Sequence, residues 1–108
     1  MDDDSDVSAG SSHPYLVIYI GNASGHRHKL VRGTMTIGRS NQADITIDDE
    51  RISRFHCIIE WLGETIIIQD NGSTNGTYVG SRKVNRAPLS PGVALQMGHS
   101  IMKIEYKN

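Results

Sequence analysis

The sequence holds one cysteine, Cys57, in 108 residues, and that scarcity alone removes several classes of protein. A single thiol closes no intrachain disulfide, and without a C-x-x-C pair there is no zinc ribbon and no dithiol redox centre. Cys57 is flanked by His56, Ile58 and Ile59, the setting of a small buried strand residue and not of an activated thiol. No apolar run approaches the roughly 20 residues of a membrane-spanning helix, and the N-terminus is acidic where a secretory signal is basic. The chain therefore reads as soluble and intracellular. Excess charge is missing too: the formal net charge is -1, so the overall field favours neither nucleic acid nor a membrane surface as partner. No window of eleven residues or more carries a helical stripe of apolar positions.

What charge there is lies unevenly. Four of the twelve acids (Asp2, Asp3, Asp4 and Asp6) stand in the first six residues, leaving eight acids against eleven Lys and Arg downstream. Met1–His13 has almost nothing apolar to offset the entropy of ordering it. This organisation predicts a disordered acidic lead or linker over Met1–His13, of the kind that tethers a module to other domains of a longer chain. One folded domain follows from Pro14 to Asn108, with structure beginning at Tyr15.

Within that domain, short runs rich in Ile and Val end at turn residues. YLVIYI spans Tyr15–Ile20, TMTI ends at Gly38, His56–Leu62 stops at Gly63, and Thr65–Gln69 stops at Asp70-Asn71-Gly72. VALQM and HSIMKIEY flank Gly98. Strand-length runs at a spacing near ten residues predict an all-β sandwich or barrel. Gly63-Glu64 suits the two-residue loop of a hairpin. On its first arm Cys57, Ile59 and Trp61 form the wholly apolar face that should meet the core, with Glu60 on the other.

Three polar loops stand where strands end: Thr36–Asn41, Asp48–His56 and Asp70–Thr77. Together they hold what an anion site requires. Arg39 offers a planar fork for two phosphate oxygens, Ser53 a hydroxyl and Arg54 a second cation. Gly72 and Gly76 permit backbone shapes closed to other residues, and Asn75 carries both a donor and an acceptor for a peptide main chain. Thr74 and Asn75 also suit plain turn construction, since Ser-Thr-Asn-Gly is good turn chemistry in any protein.

The array GRS (Gly38–Ser40), SRFH (Ser53–His56) and GSTNGTYV (Gly72–Val79) resembles the forkhead-associated (FHA) domain family, with the three motifs in order and strands from Tyr15 to Tyr106 around them. The resemblance implies a β-sandwich of two twisted, mostly antiparallel sheets, with about eleven short strands. It implies a non-catalytic module that takes phosphothreonine-containing proteins or peptides at loops on one end, with no cofactor, no metal, no nucleic acid and no membrane. By matched position, Arg39 and Ser53 would contact the phosphate, Arg54 and Thr74 would assist, and Asn75 would hold the peptide backbone. Gly38 and His56 would be architectural, with Gly72 and Gly76 shaping the third loop.

Other chemistries are poorly supplied. Ser53, His56 and Asp70 can be written as a hydrolytic triad, but no G-x-S-x-G elbow surrounds Ser53. GSTNGT lacks the lysine of a P-loop. Asp48-Asp49-Glu50 lacks the alternation of a calcium loop and reads as a solvated turn. His26 and His28 share a strand face without a third ligand. A module that binds through a sheet face, independently of phosphorylation, is the alternative function.

Overall fold

The computed structural model describes residues 12–21 and 25–107, and none of these is helical. Among them run eleven strands: β1 His13–Ile20, β2 His26–Lys29, β3 Gly33–Gly38, β4 Ile45–Thr46, β5 Cys57–Trp61, β6 Ile66–Asp70, β7 Tyr78–Val79, β8 Arg82–Lys83, β9 Arg86–Pro88, β10 Leu95–Met97 and β11 Ser100–Lys107. They form a five-stranded sheet in the order β9-β6-β5-β3-β4 and a six-stranded sheet in the order β2-β1-β11-β10-β7-β8. Every pairing is antiparallel except β3 with β4, where Ile37 faces Ile45. The expected all-β sandwich is therefore the fold. Most of the acidic lead lies outside the described residues. At its end the boundary shifts, because His13 already belongs to β1 and pairs with Lys107, while its ring bonds the Leu30 carbonyl at 2.8 Å.

Alternation sets the inner faces. In β11, Ser100, Met102 and Ile104 are buried while Ile101 and Lys103 are exposed, and Met102 meets Ile18 across the pair with β1. Leu16, Ile18, Ile37, Ile59, Ile68, Leu95 and Met102 are each at most 1% exposed and form the core between the sheets. Close packing of branched side chains on two pleated faces is what makes the pair of sheets cohere.

The hairpin of β5 and β6 turns as its sequence indicates. The Leu62 amide donates to the Thr65 carbonyl at 2.8 Å, and Gly63 takes φ +91°, the left-handed value that the first position of a II′ turn demands. Cys57 and Ile59 are buried and Trp61 packs against the core. Trp61 also donates its indole N–H to the Gly63 carbonyl at 2.6 Å and lies under the Arg32 guanidinium, 5.0 Å from the ring centre. Burial pushes the Cys57 thiol up to about 12, with the nearby Asp70 adding to the shift, so the thiol is a packing group.

A candidate phosphate-recognition end

β3, β5 and β6 are neighbours, and their register places Ile37, Cys57 and Asp70 in one row across the sheet. Because the pairings are antiparallel, the end of β3, the start of β5 and the end of β6 lie at the same end of the sandwich. The three polar loops therefore spring from one edge. Sequence separation is converted into proximity by strand order.

Backbone bonds lock the first loop to the second. The amides of Arg39 and Ser40 donate to the carbonyls of Ser53 and Arg54, each at 3.0 Å, and the His56 amide donates to Ile37 at 2.8 Å. Gly38 is where this approach is closest: a Cβ there would collide with the Arg54 carbonyl oxygen and stand 2.6 Å from its carbonyl carbon. Backbone cannot move aside as a side chain can, so the position has room only for glycine.

His56, fully buried, joins the second loop to the third. Its Nδ1 accepts from the Ser53 amide at 3.0 Å, so the ring proton sits on Nε2 and is donated to the Gly76 carbonyl at 2.8 Å. Both ring nitrogens are committed to backbone groups. Ser53 Oγ, for its part, accepts from the Thr74 amide at 3.0 Å. Ser53, His56 and Asp70 thus build no Ser-His-Asp relay, and the serine hydroxyl keeps its proton to donate.

The contact candidates converge. Arg39 is exposed, and its Nε donates to the Ile52 carbonyl at 3.0 Å. That bond aims the guanidinium while leaving both terminal nitrogens for an anion. Arg54 is exposed on the same loop as Ser53, and among the described residues neither arginine has an ion-pair partner. Thr74 and Asn75 are exposed at the tip of the third loop. One amide proton of Asn75 is used on the Arg51 carbonyl at 2.8 Å, which leaves Oδ1 and the second proton available. Gly72 and Gly76 take φ +65° and +91°.

Two acids to which the sequence assigns no structural role hold this end together. Asp70 Oδ1 accepts from Ser73 Oγ at 2.5 Å and Thr77 Oγ1 at 2.6 Å, and Oδ2 accepts from the Ser73 amide at 3.1 Å. Ser73 Oγ in turn accepts from the Gly76 amide. Asp49 is buried, which corrects the reading of Asp48-Asp49-Glu50 as a wholly solvated turn. It accepts from the His99 amide and Ser100 Oγ, each at 2.7 Å, and from the Arg51 amide at 2.9 Å. For both acids burial pushes the carboxyl up, but the donated hydrogen bonds prevail and hold it below the ordinary value. The signal for Asp70 is an Asp followed three and seven residues later by hydroxyls, a side-chain turn pattern. Asp49 has no local signal, because two of its three partners lie about fifty residues downstream.

These shifts give an acid limb to stability. A carboxylate whose folded value is depressed contributes stability above its unfolded value, near pH 4, and that contribution is lost as pH falls through the folded value. Melting temperature is therefore expected to fall steeply below about pH 4, and less steeply in Asp70→Asn, which starts from a lower melting temperature. Thermal melts between pH 2 and 7 check this. An Asp70→Asn variant with the parent's acid limb would show that the carboxylate is not the group being lost.

Among the described residues, no three His, Cys, Asp or Glu side chains come together as a metal site. What remains is a hydrogen-bonded, cation-bearing loop cluster on the end of a β-sandwich, the plan of a recognition module. The chain belongs to the FHA domain family, whose model matches residues 35–98. It is 33% identical over 91 residues to the FHA domain-containing protein FhaA of Mycobacterium tuberculosis, a match covering 84% of this chain and 17% of FhaA. It is 37% identical over 94 residues to an oxoglutarate dehydrogenase inhibitor of Corynebacterium diphtheriae, covering 87% of this chain and 66% of that protein. The chain thus spans less than two thirds of either relative. A solved structure from work on phosphothreonine-dependent FHA domain interactions superposes with a TM-score of 0.77 at 31% identity, over 84% of this chain and 95% of that one.

Proposed function

We propose that this domain is a non-catalytic module that binds a phosphothreonine-bearing segment of a partner protein at the loop end. The observation that carries the reading is the Arg39 guanidinium, anchored through Nε to the Ile52 carbonyl, with the next residue, Ser53, held by the Thr74 amide at its hydroxyl oxygen and keeping its proton to donate. Both groups are preset to donate, which suits a dianion and lowers the cost of ordering them on binding. Arg54 adds charge, Thr74 adds a hydroxyl at the rim, and Asn75 holds the peptide main chain through its remaining amide groups. His56, Gly38, Gly72 and Gly76 give the loops their shape. Phosphothreonine-dependent interaction in a structural relative supports the choice of ligand.

Titration calorimetry with three matched peptides tests this. The phosphothreonine peptide is expected to bind and the unphosphorylated one to fail. Phosphoserine should bind about fourfold more weakly, the value of one unburied methyl, ~0.8 kcal/mol. Equal binding of the unphosphorylated peptide would overturn the proposal. It would favour the sheet-face alternative, for which Tyr19 and Ile101, paired and exposed on the outer face of the six-stranded sheet, are the natural contact.

A further inference from the structure

Lys83 belongs to neither the phosphate contacts nor the loop scaffold, yet its side chain reaches Gly76 in the third loop. It lies on β8 directly opposite Tyr78 on β7, so the two side chains share a face. Both turn toward the third loop. A Cβ placed on Gly76 would stand 2.9 Å from Lys83 Cε, 3.5 Å from Lys83 Cδ and 3.3 Å from Tyr78 Cε1. The space that a larger residue would take at 76 is therefore filled by the lysine stem and the tyrosine ring. Gly76 is buried while Lys83 is exposed, the arrangement of a stem packed on the surface with its charge in water. The ammonium lies one bond beyond Cε, close to Gly76, and among the described residues it has no ion-pair partner.

A surface lysine ordinarily samples many rotamers, and the entropy of fixing it cancels most of what an exposed ion pair contributes. Here the stem already lies against Gly76, in register with Tyr78, before any ligand arrives, so that cost is reduced. Tyr78 also lines a cavity of about 360 Å³ with Arg51, Asn75 and Gln96. Asn75, the proposed contact for the peptide main chain, lines the same cavity, so a bound peptide is expected to run past Tyr78.

We infer that Lys83 reads negative charge on the bound phosphopeptide, at the residue that crosses Gly76, and so selects ligands with an anionic side chain near the phosphothreonine. The inference rests on the phosphopeptide function proposed above. The shared chemistry is an anion at that position, supplied by a carboxylate or by a second phosphate.

The test is a positional scan by fluorescence anisotropy. A phosphothreonine peptide with neutral flanks is substituted one position at a time with Asp, Asn or phosphoserine. At one position, Asp is expected to bind the parent domain about two- to fivefold more tightly than Asn, the range of an exposed charge pair, and the gain should shrink at high salt. Lys83→Met keeps the stem on Gly76 and removes the charge. It should abolish that gain while binding the neutral-flank peptide as the parent does, and Lys83→Glu should turn the preference toward Lys. A phosphoserine gain that exceeds the Asp gain and needs Lys83 assigns the site to a second phosphate, and an equal or smaller one to a carboxylate. A parent with no preference for Asp at any position, or a preference that survives in Lys83→Met, overturns the inference while leaving the phosphothreonine site standing. Failure of the parent to bind any phosphothreonine peptide removes both.

Discussion

His56→Ala is expected to lower the melting temperature by ten degrees or more and to weaken phosphopeptide binding about tenfold or more. The side chain is fully buried and satisfies two backbone groups, the Ser53 amide and the Gly76 carbonyl. Leaving a buried polar group unpaired costs about 1–3 kcal/mol, so two such groups and the void together amount to several kcal/mol. A domain of this size loses roughly 4–8 °C per kcal/mol. Affinity falls with stability because the same bonds hold the second and third loops in register, and with them Ser53 and Asn75. Ser53→Ala separates the two effects. It removes only an acceptor for the exposed Thr74 amide, which water replaces, so its melting temperature should stay near the parent's while affinity falls. His56→Gln offers an acceptor and a donor on one side chain and should recover part of the stability. Differential scanning fluorimetry and calorimetry on the three variants decide the matter. A His56→Ala protein that melts like the parent yet does not bind would make His56 a direct ligand contact and not a brace.

The contrast between His56 and Asp49 shows what a sequence can carry about such a site. The sandwich was legible because its inner faces are built from short Ile- and Val-rich runs, each closed by glycine or by turn residues. The loop residues were legible because an arginine after Gly38, a serine before His56 and a Thr-Asn-Gly tip are side chains with few uses together. Two edge strands escaped: β8 is Arg82–Lys83 and β9 is Arg86–Pro88, too short and too polar for alternation to register. Proline in β9 is tolerated because an edge strand needs no donor on its open side. Asp49 sits in a run of three acids that reads as solvated, and only the β10–β11 turn folding over it supplies the His99 amide and Ser100 hydroxyl that bury it. Lys83 is the same kind of case. Its place over Gly76 is a product of strand pairing, and nothing within a few residues of either position announces it.

Arg39→Ala is expected to weaken phosphopeptide binding by about ten- to a hundredfold with the fold intact. A charge-assisted contact contributes about 1.5–3 kcal/mol, and tenfold in affinity corresponds to 1.4 kcal/mol. The fold should survive because the Arg39 side chain is exposed and the loop bond to Ser53 runs through its backbone amide, which alanine retains. Only the Nε bond to the Ile52 carbonyl is lost, at a partly buried position that water can reach. Arg39→Lys should recover a minor part of the affinity. Lysine cannot anchor through one nitrogen and present two others, so it keeps the charge without the aimed fork. Arg54→Ala provides the scale. No hydrogen bond fixes the Arg54 side chain among the described residues, so it acts as a screened surface charge worth about 0–1 kcal/mol, at most fivefold, and its effect should fade as salt rises while most of the Arg39 effect persists. Calorimetry of the parent and the three variants at low and high salt, with a melt of each, gives the comparison. A folded Arg39→Ala protein with the parent's affinity would place the phosphate elsewhere on the loop end. An Arg54→Ala loss larger than that of Arg39→Ala would exchange the roles of the two arginines.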